Sequence, residues 1–131
     1  MRPVKAVLDT SILIDGHSMP AEVAVSISAI SIAELHFGID SARDEEVRQR
    51  RISLLGLVES RFPRPLPLDD RAARVLGALK ATVRRRGGNP RAKMADLAIA
   101  ATAVANEAVL ITLNPRDLNL VKDLVQVRVP T

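Results

Sequence analysis

Residues 4–11, Val-Lys-Ala-Val-Leu-Asp-Thr-Ser, constrain this chain more than any other stretch. The apolar run from Val4 to Leu8 is rich in β-formers and reads as a buried central strand. It ends abruptly in Asp9, followed by the hydroxyls of Thr10 and Ser11. A carboxylate at the end of a buried strand is costly unless it is hydrogen-bonded, paired or bound to a cation. No Lys or Arg follows closely, because Ile12-Leu13-Ile14 is apolar again. In open α/β sheets the carboxyl ends of the strands are where ligands sit. Two roles for Asp9 therefore stand side by side: cap of a short helical turn from Ser11 to Asp15, or member of a binding site.

The rest of the chain alternates strand and helix patterns. Val23 to Ile30, with Ser26 and Ser28 in alternation, predicts a second strand. Ser31 and Glu34 have the spacing of a capping box, opening a helix through Leu35, Phe37 and Ile39. Asp44-Glu45-Glu46 opens the next helix, with Ile52, Leu55, Val58 and Phe62 as its apolar face. The proline-broken connector Pro63 to Leu68 suits a short edge strand. Asp69 caps a helix with Ala72, Leu76, Leu79 and Val83 at helical spacing, closed by Arg84-Arg85-Arg86 and stopped by Gly87-Gly88-Asn89-Pro90. Met94 to Ala105 is almost wholly apolar and predicts a buried helix, with Asp96 its single charge. Val109 to Thr112 and Val125 to Val129 read as the last strands, separated by a turn at Asn114-Pro115-Arg116-Asp117. This order predicts one domain over 1–131, a three-layer α/β/α sandwich around a mostly parallel sheet.

Composition narrows the function. With no cysteine, disulfides and thiolate metal sites are excluded, which fits a reducing cytoplasm. No apolar stretch suits a membrane span, and Met1-Arg2-Pro3 leads into a strand rather than a secretion signal. The formal charge of +4 favours an anionic partner. Phe37 and Phe62 are the only aromatics, too few for a base-stacking platform, so a grip on nucleic acid must come from Arg and Lys. Lone acids recur at equivalent places: Asp9 after the first strand, Glu34 in the first turn after the second, Asp96 at the start of the buried helix, and Asp117 after the third strand, where the amide of Asn114 also stands. With parallel strands all of them fall on one edge of the sheet. Setting four candidate acids aside from fifteen leaves eleven against nineteen basic side chains, an acidic pocket inside a rim of about +8.

On these residues the chain resembles the PIN-domain ribonucleases, and among them the VapC toxins of toxin–antitoxin pairs. The resemblance is carried by Leu8-Asp9-Thr10-Ser11, Ile30 to Leu35, Asp96 to Ala103, and Leu110 to Asp117, in order and over nearly the whole length. It implies Mg²⁺- or Mn²⁺-dependent cleavage of RNA, a homodimer, and inhibition by a small VapB-type antitoxin. Oxygen donors of this kind suit a hard divalent cation, which can activate water and stabilise an in-line phosphodiester displacement. Asp9, Glu34, Asp96 and Asp117 are the expected catalytic and metal carboxylates. Ser11 and Thr112 are expected to support them by orienting water at the metal. Asn114 is assigned the cap of the turn at Pro115, although a fourth donor at Asn114 rather than Asp117 stays open. Arg84, Arg85, Arg86, Arg91 and Lys93 are the expected RNA contacts. The chain departs from the family at Leu118, where Phe is usual.

Each residue also has a plainer role. Glu34 can be only a capping-box partner, Asp96 only a first-turn charge, Asp117 a surface turn residue and Arg84 to Arg86 a solvated helix end. His17 and His36 share no metal spacing. An aspartyl-phosphate enzyme of the haloacid-dehalogenase type wants a second Asp where Ser11 stands, and no glycine loop precedes a Lys-Ser/Thr pair. The non-enzymatic alternative is an RNA- or partner-binding module with a degenerate acidic site.

Overall fold

A computed structural model describes residues 3–16, 19 and 23–130; His17 lies outside them. Four parallel strands, β1 (Val4–Leu8), β2 (Val23–Ile27), β3 (Val109–Ile111) and β4 (Val127–Arg128), form one sheet in the order β2-β1-β3-β4. Its register sets Leu8 beside Ile27 on one side and Ile111 on the other. The first strand is therefore central, as its apolar run requires. Asp9 N–H donates to Ile111 O at 2.8 Å, extending the ladder one residue past β1.

The pleat sorts the core into two layers. Ala6, Leu8, Ile27 and Ile111 face α1 (Thr10–Asp15), α2 (Ala29–Asp40) and α3 (Glu45–Arg61) through Ile12, Leu35, Leu55 and Val58. Val7 and Leu110 face the other way, onto α4 (Asp70–Arg85) and α5 (Met94–Ala105) through Leu76, Leu79, Leu97 and Ile99. This is the expected α/β/α sandwich with a parallel sheet. In α5, Ala98, Ala100, Ala101 and Ala103 are buried on all sides, small enough to let α4 and the sheet approach closely.

Local chemistry accounts for the helix starts. Asp44 Oδ1 accepts from Val47 N–H and Asp69 Oδ1 from Ala72 N–H, both at 2.9 Å. Gly16 ends α1 at φ 78°, a left-handed conformation that glycine adopts without strain. The proline connector does supply an edge residue, Leu66 bonding Ile27 O and Ala29 N–H beyond β2 at 2.8 Å each.

Three boundaries differ from expectation. The second strand stops at Ile27, because Ser28 caps α2 by accepting from Ile30 N–H at 3.0 Å. Ser31 is thus inside the helix, fully buried, and the capping box with Glu34 does not form. The last strand shortens to Val127–Arg128, with Val125 buried in the preceding turn. Among the described residues no helix is long and apolar enough to cross a membrane.

Candidate active site

Because every strand is parallel, the residues that follow β1 and β3 emerge at the same sheet edge. There Asp9, Asp96, Thr112, Asn114 and Asp117, with Leu110 and Leu118 beneath, line a small pocket of about 10 Å³, the size of one water. Asp9 caps α1 and is nearly buried at 8% exposure. The carboxylate that caps the helix also lines the pocket, and its Oδ2 alone accepts from Ser11 Oγ at 2.6 Å, Thr112 Oγ1 at 3.0 Å and Ser11 N–H at 3.3 Å. Oδ1 is left to the pocket. Ser11 Oγ in turn accepts from Leu113 N–H at 3.1 Å and Thr112 Oγ1 from Asn114 N–H at 3.0 Å. Each hydroxyl therefore hands a backbone proton's polarity on to the same carboxylate oxygen, and Asp9 is held in one orientation.

Glu34 stands on α2 at the flank of this pocket. Its Oε1 accepts from Thr10 Oγ1 at 2.5 Å, and Thr10 Oγ1 lies 2.9 Å from Ser31 Oγ. A hydroxyl has one proton, and that of Thr10 goes to Glu34, so Ser31 donates to Thr10. Thr10 and Ser31 are hydrogen-bonded neighbours of the Glu34 site that sequence reasoning missed. The only signal was a hydroxyl directly after Asp9 and another one helical turn before Glu34.

Asp96 opens α5 without a hydrogen bond to its carboxylate among those formed by the described residues. Burial pushes its pKa up to about 6, and the charges of Asp9, Asp117 and Glu34 push the same way, with only Lys93 opposing. Four acids thus share one field. Lys93 Nζ bonds Asp117 Oδ1 at 2.9 Å, which holds the lysine's own pKa above its usual value.

Two of the remaining expectations need correction, the cap at Asn114 and the solvated helix end at Arg86. Asn114 makes no side-chain capping bond to the 3-10 helix Pro115–Val121; it lines the acidic pocket instead. Arg86 is not free at a solvated helix end: its guanidinium donates to Leu120 O at 2.6 Å and to both oxygens of Asp123 at 2.8 and 3.1 Å. Arg85 reaches back to Thr82 Oγ1 at 3.1 Å. Arg84 and Arg91 are exposed on either side of the glycine turn. Lys93 is paired with Asp117 while its side chain stays substantially exposed.

The donor set matches the preferences of a hard divalent cation. Carboxylate, hydroxyl and amide oxygens around a water-sized space suit Mg²⁺ or Mn²⁺, and crowding that raises the pKa of Asp96 is what a cation relieves. No three acidic or imidazole side chains are already closed round one point among the described residues, so a cation would have to draw them in. The chemistry fits.

Comparison with known proteins bears on the family and the fold. Residues 6–123 match the family model described as PIN domain. The chain is 32% identical to Ribonuclease VapC5 of Mycobacterium tuberculosis, covering 84% of this chain and 83% of that one. A crystal structure of VapBC-5 from the same organism, a member of the VapBC family of toxin–antitoxin systems, superposes with a TM-score of 0.76 at 27% identity, over 97% of this chain and 98% of the other. VapBC2 from Rickettsia felis, bound to a DNA fragment from its promoter, superposes at 0.74 over 98% and 100% with 22% identity, a likeness of fold.

Proposed function

We propose, since this chain belongs to the PIN-domain family, that it is a Mg²⁺- or Mn²⁺-dependent endoribonuclease acting as the toxin of a VapBC-type toxin–antitoxin pair. The observation that carries this is the convergence of Asp9, Asp96 and Asp117 on one pocket at the carboxyl edge of the sheet, with Glu34 at its flank. Asp9 Oδ1, Asp96, Asp117 and Glu34 would hold the cation. Bound there, it would supply activation of water and stabilisation of charge on the phosphodiester. Ser11 and Thr112 fix Asp9, and Thr10 fixes Glu34, so loading would chiefly draw Asp96 and Asp117 toward the cation. Lys93 holds Asp117 and balances one of the four negative charges until the cation enters.

Beside Glu34 lies an apolar groove of about 480 Å³ lined by Ile30, Phe37, Leu68 and Met94, with Phe37 73% exposed. It suits a short helix or peptide of the antitoxin, laying apolar side chains in the groove and a basic one toward the acids. The protein would work in the cytoplasm as a homodimer.

Cleavage of single-stranded RNA in Mn²⁺, compared between wild type and Asp9→Asn, tests the activity. Loss of cleavage in a folded variant is expected, and a variant that cuts normally would end the nuclease assignment. Expression without a partner should arrest growth, and Asp9→Asn should not. A harmless wild type with demonstrated nuclease activity in the same cells would count against the toxin role.

A further inference from the structure

A second cavity, of about 200 Å³, adjoins the acidic pocket and shares Asp117 and Leu118 with it. Its walls are aliphatic: Val83 from α4, Leu97 from α5, and Leu118 and Val121 from the 3-10 helix. The chain passes tightly at Gly88, where a Cβ would stand 2.8 Å from Val83 Cγ1. Polar groups enter at the rim, where Asn89, Lys93 and Arg116 stand. Lys93 is engaged by Asp117, whereas the exposed Arg116 has no carboxylate within 4.0 Å among the described residues.

If a phosphodiester lies at the acids, the base of an adjoining nucleotide is within a few ångströms and needs a surface. Bases splayed from a single strand stack on aromatic rings or guanidinium planes. This chain has neither Trp nor Tyr, and its two Phe rings line other surfaces, Phe37 the groove beside Glu34 and Phe62 a groove against α1. An aliphatic cavity with the exposed Arg116 at its mouth, sharing Asp117 with the acidic pocket, offers a surface for a base. Its volume falls below the range of drug-sized sites and suits one heterocycle.

We propose that this cavity is a nucleobase subsite, taking the base of one nucleotide that flanks the scissile phosphodiester, with the Arg116 guanidinium over its open face. The subsite rests on the ribonuclease function above. Abasic substitutions walked along a short single-stranded RNA test it, with the full chain in Mn²⁺. Wild type should cut about tenfold more slowly when one position beside the cut is abasic, the order expected on removing a stacked base. Arg116→Ala, and Ala92→Leu at the exposed rim, should lose a similar factor on intact RNA and become indifferent to that abasic position. The same walk read as binding by fluorescence anisotropy, in the Asp96→Asn chain, should show the same single sensitive position. Uniform cleavage of all abasic substrates by wild type, or losses that simply multiply in the variants, would overturn the subsite and leave the ribonuclease standing. No cleavage of intact RNA would overturn both.

Discussion

Replacing Asp96 with Asn should stabilise the metal-free protein at neutral pH, although it removes a residue assigned to the site. The carboxylate makes no hydrogen bond among the described residues, so the near-isosteric amide forfeits none there. Its pKa stands at about 6 in the fold against 3.8 unfolded, because burial and then Asp9, Asp117 and Glu34 disfavour its charge. The folded state therefore binds the proton more tightly than the unfolded chain. Stability from this group is greatest below pH 3.8 and falls as pH rises toward 6, after which the penalty is constant. At 1.36 kcal/mol per pKa unit the full displacement amounts to about 3 kcal/mol. Asp96 is only part-buried, and solvent screening reduces this to about 1–2 kcal/mol. Urea denaturation in EDTA, from pH 4 to 8, is the assay. Wild type should lose stability across pH 4–6 relative to Asp96→Asn, and the variant should be the more stable at pH 7.5. A variant less stable at pH 7.5, or one with the same pH slope as wild type, would refute the crowded-acid account.

Saturating Mg²⁺ or Mn²⁺ should reverse that order, adding about 2–3 kcal/mol to wild type at a hundredfold excess over Kd. Asp9→Asn and Asp96→Asn should lose this gain, measured by thermal melting with and without EDTA. Asn114→Ala should change stability by less than about 0.5 kcal/mol, because its side chain caps nothing, while metal affinity falls; a larger stability loss would restore the capping role. Leu79→Ala, 2% exposed between α4 and α5, should cost about 2–5 kcal/mol in the same denaturation assay. Arg84→Ser and Arg91→Ser should each flatten the salt dependence of RNA binding by about one unit if they touch phosphate. Arg86→Ser should instead loosen the segment around Leu120 and Asp123, seen as faster amide exchange there, because its guanidinium is committed to them.

What the chain alone determined is what local periodicity and residue chemistry can carry. The apolar runs at 4–8 and 109–111 and the all-round apolar helix at 94–105 specify buried elements wherever they are placed, and Asp44 and Asp69 cap helices through amides three residues away. Asp9, Glu34, Asp96 and Asp117 stood out because each is an acid isolated among apolar or turn residues. Tertiary structure decided what each polar group bonds to, since those partners are far apart in sequence. Thr10 meets Ser31 and Glu34 across 21 and 24 residues, and Thr112 meets Asp9 across 103. Arg86 finds Asp123 across 37, and Lys93 finds Asp117 across 24. Ser28 displaced Ser31 as the cap because Ser28 pairs with Leu66 at the sheet edge and ends the strand there, while Thr10 comes within reach of Ser31. A hydroxyl, amide or guanidinium serves equally well as cap, solvated end or site ligand, and only the folded neighbourhood leaves it one partner.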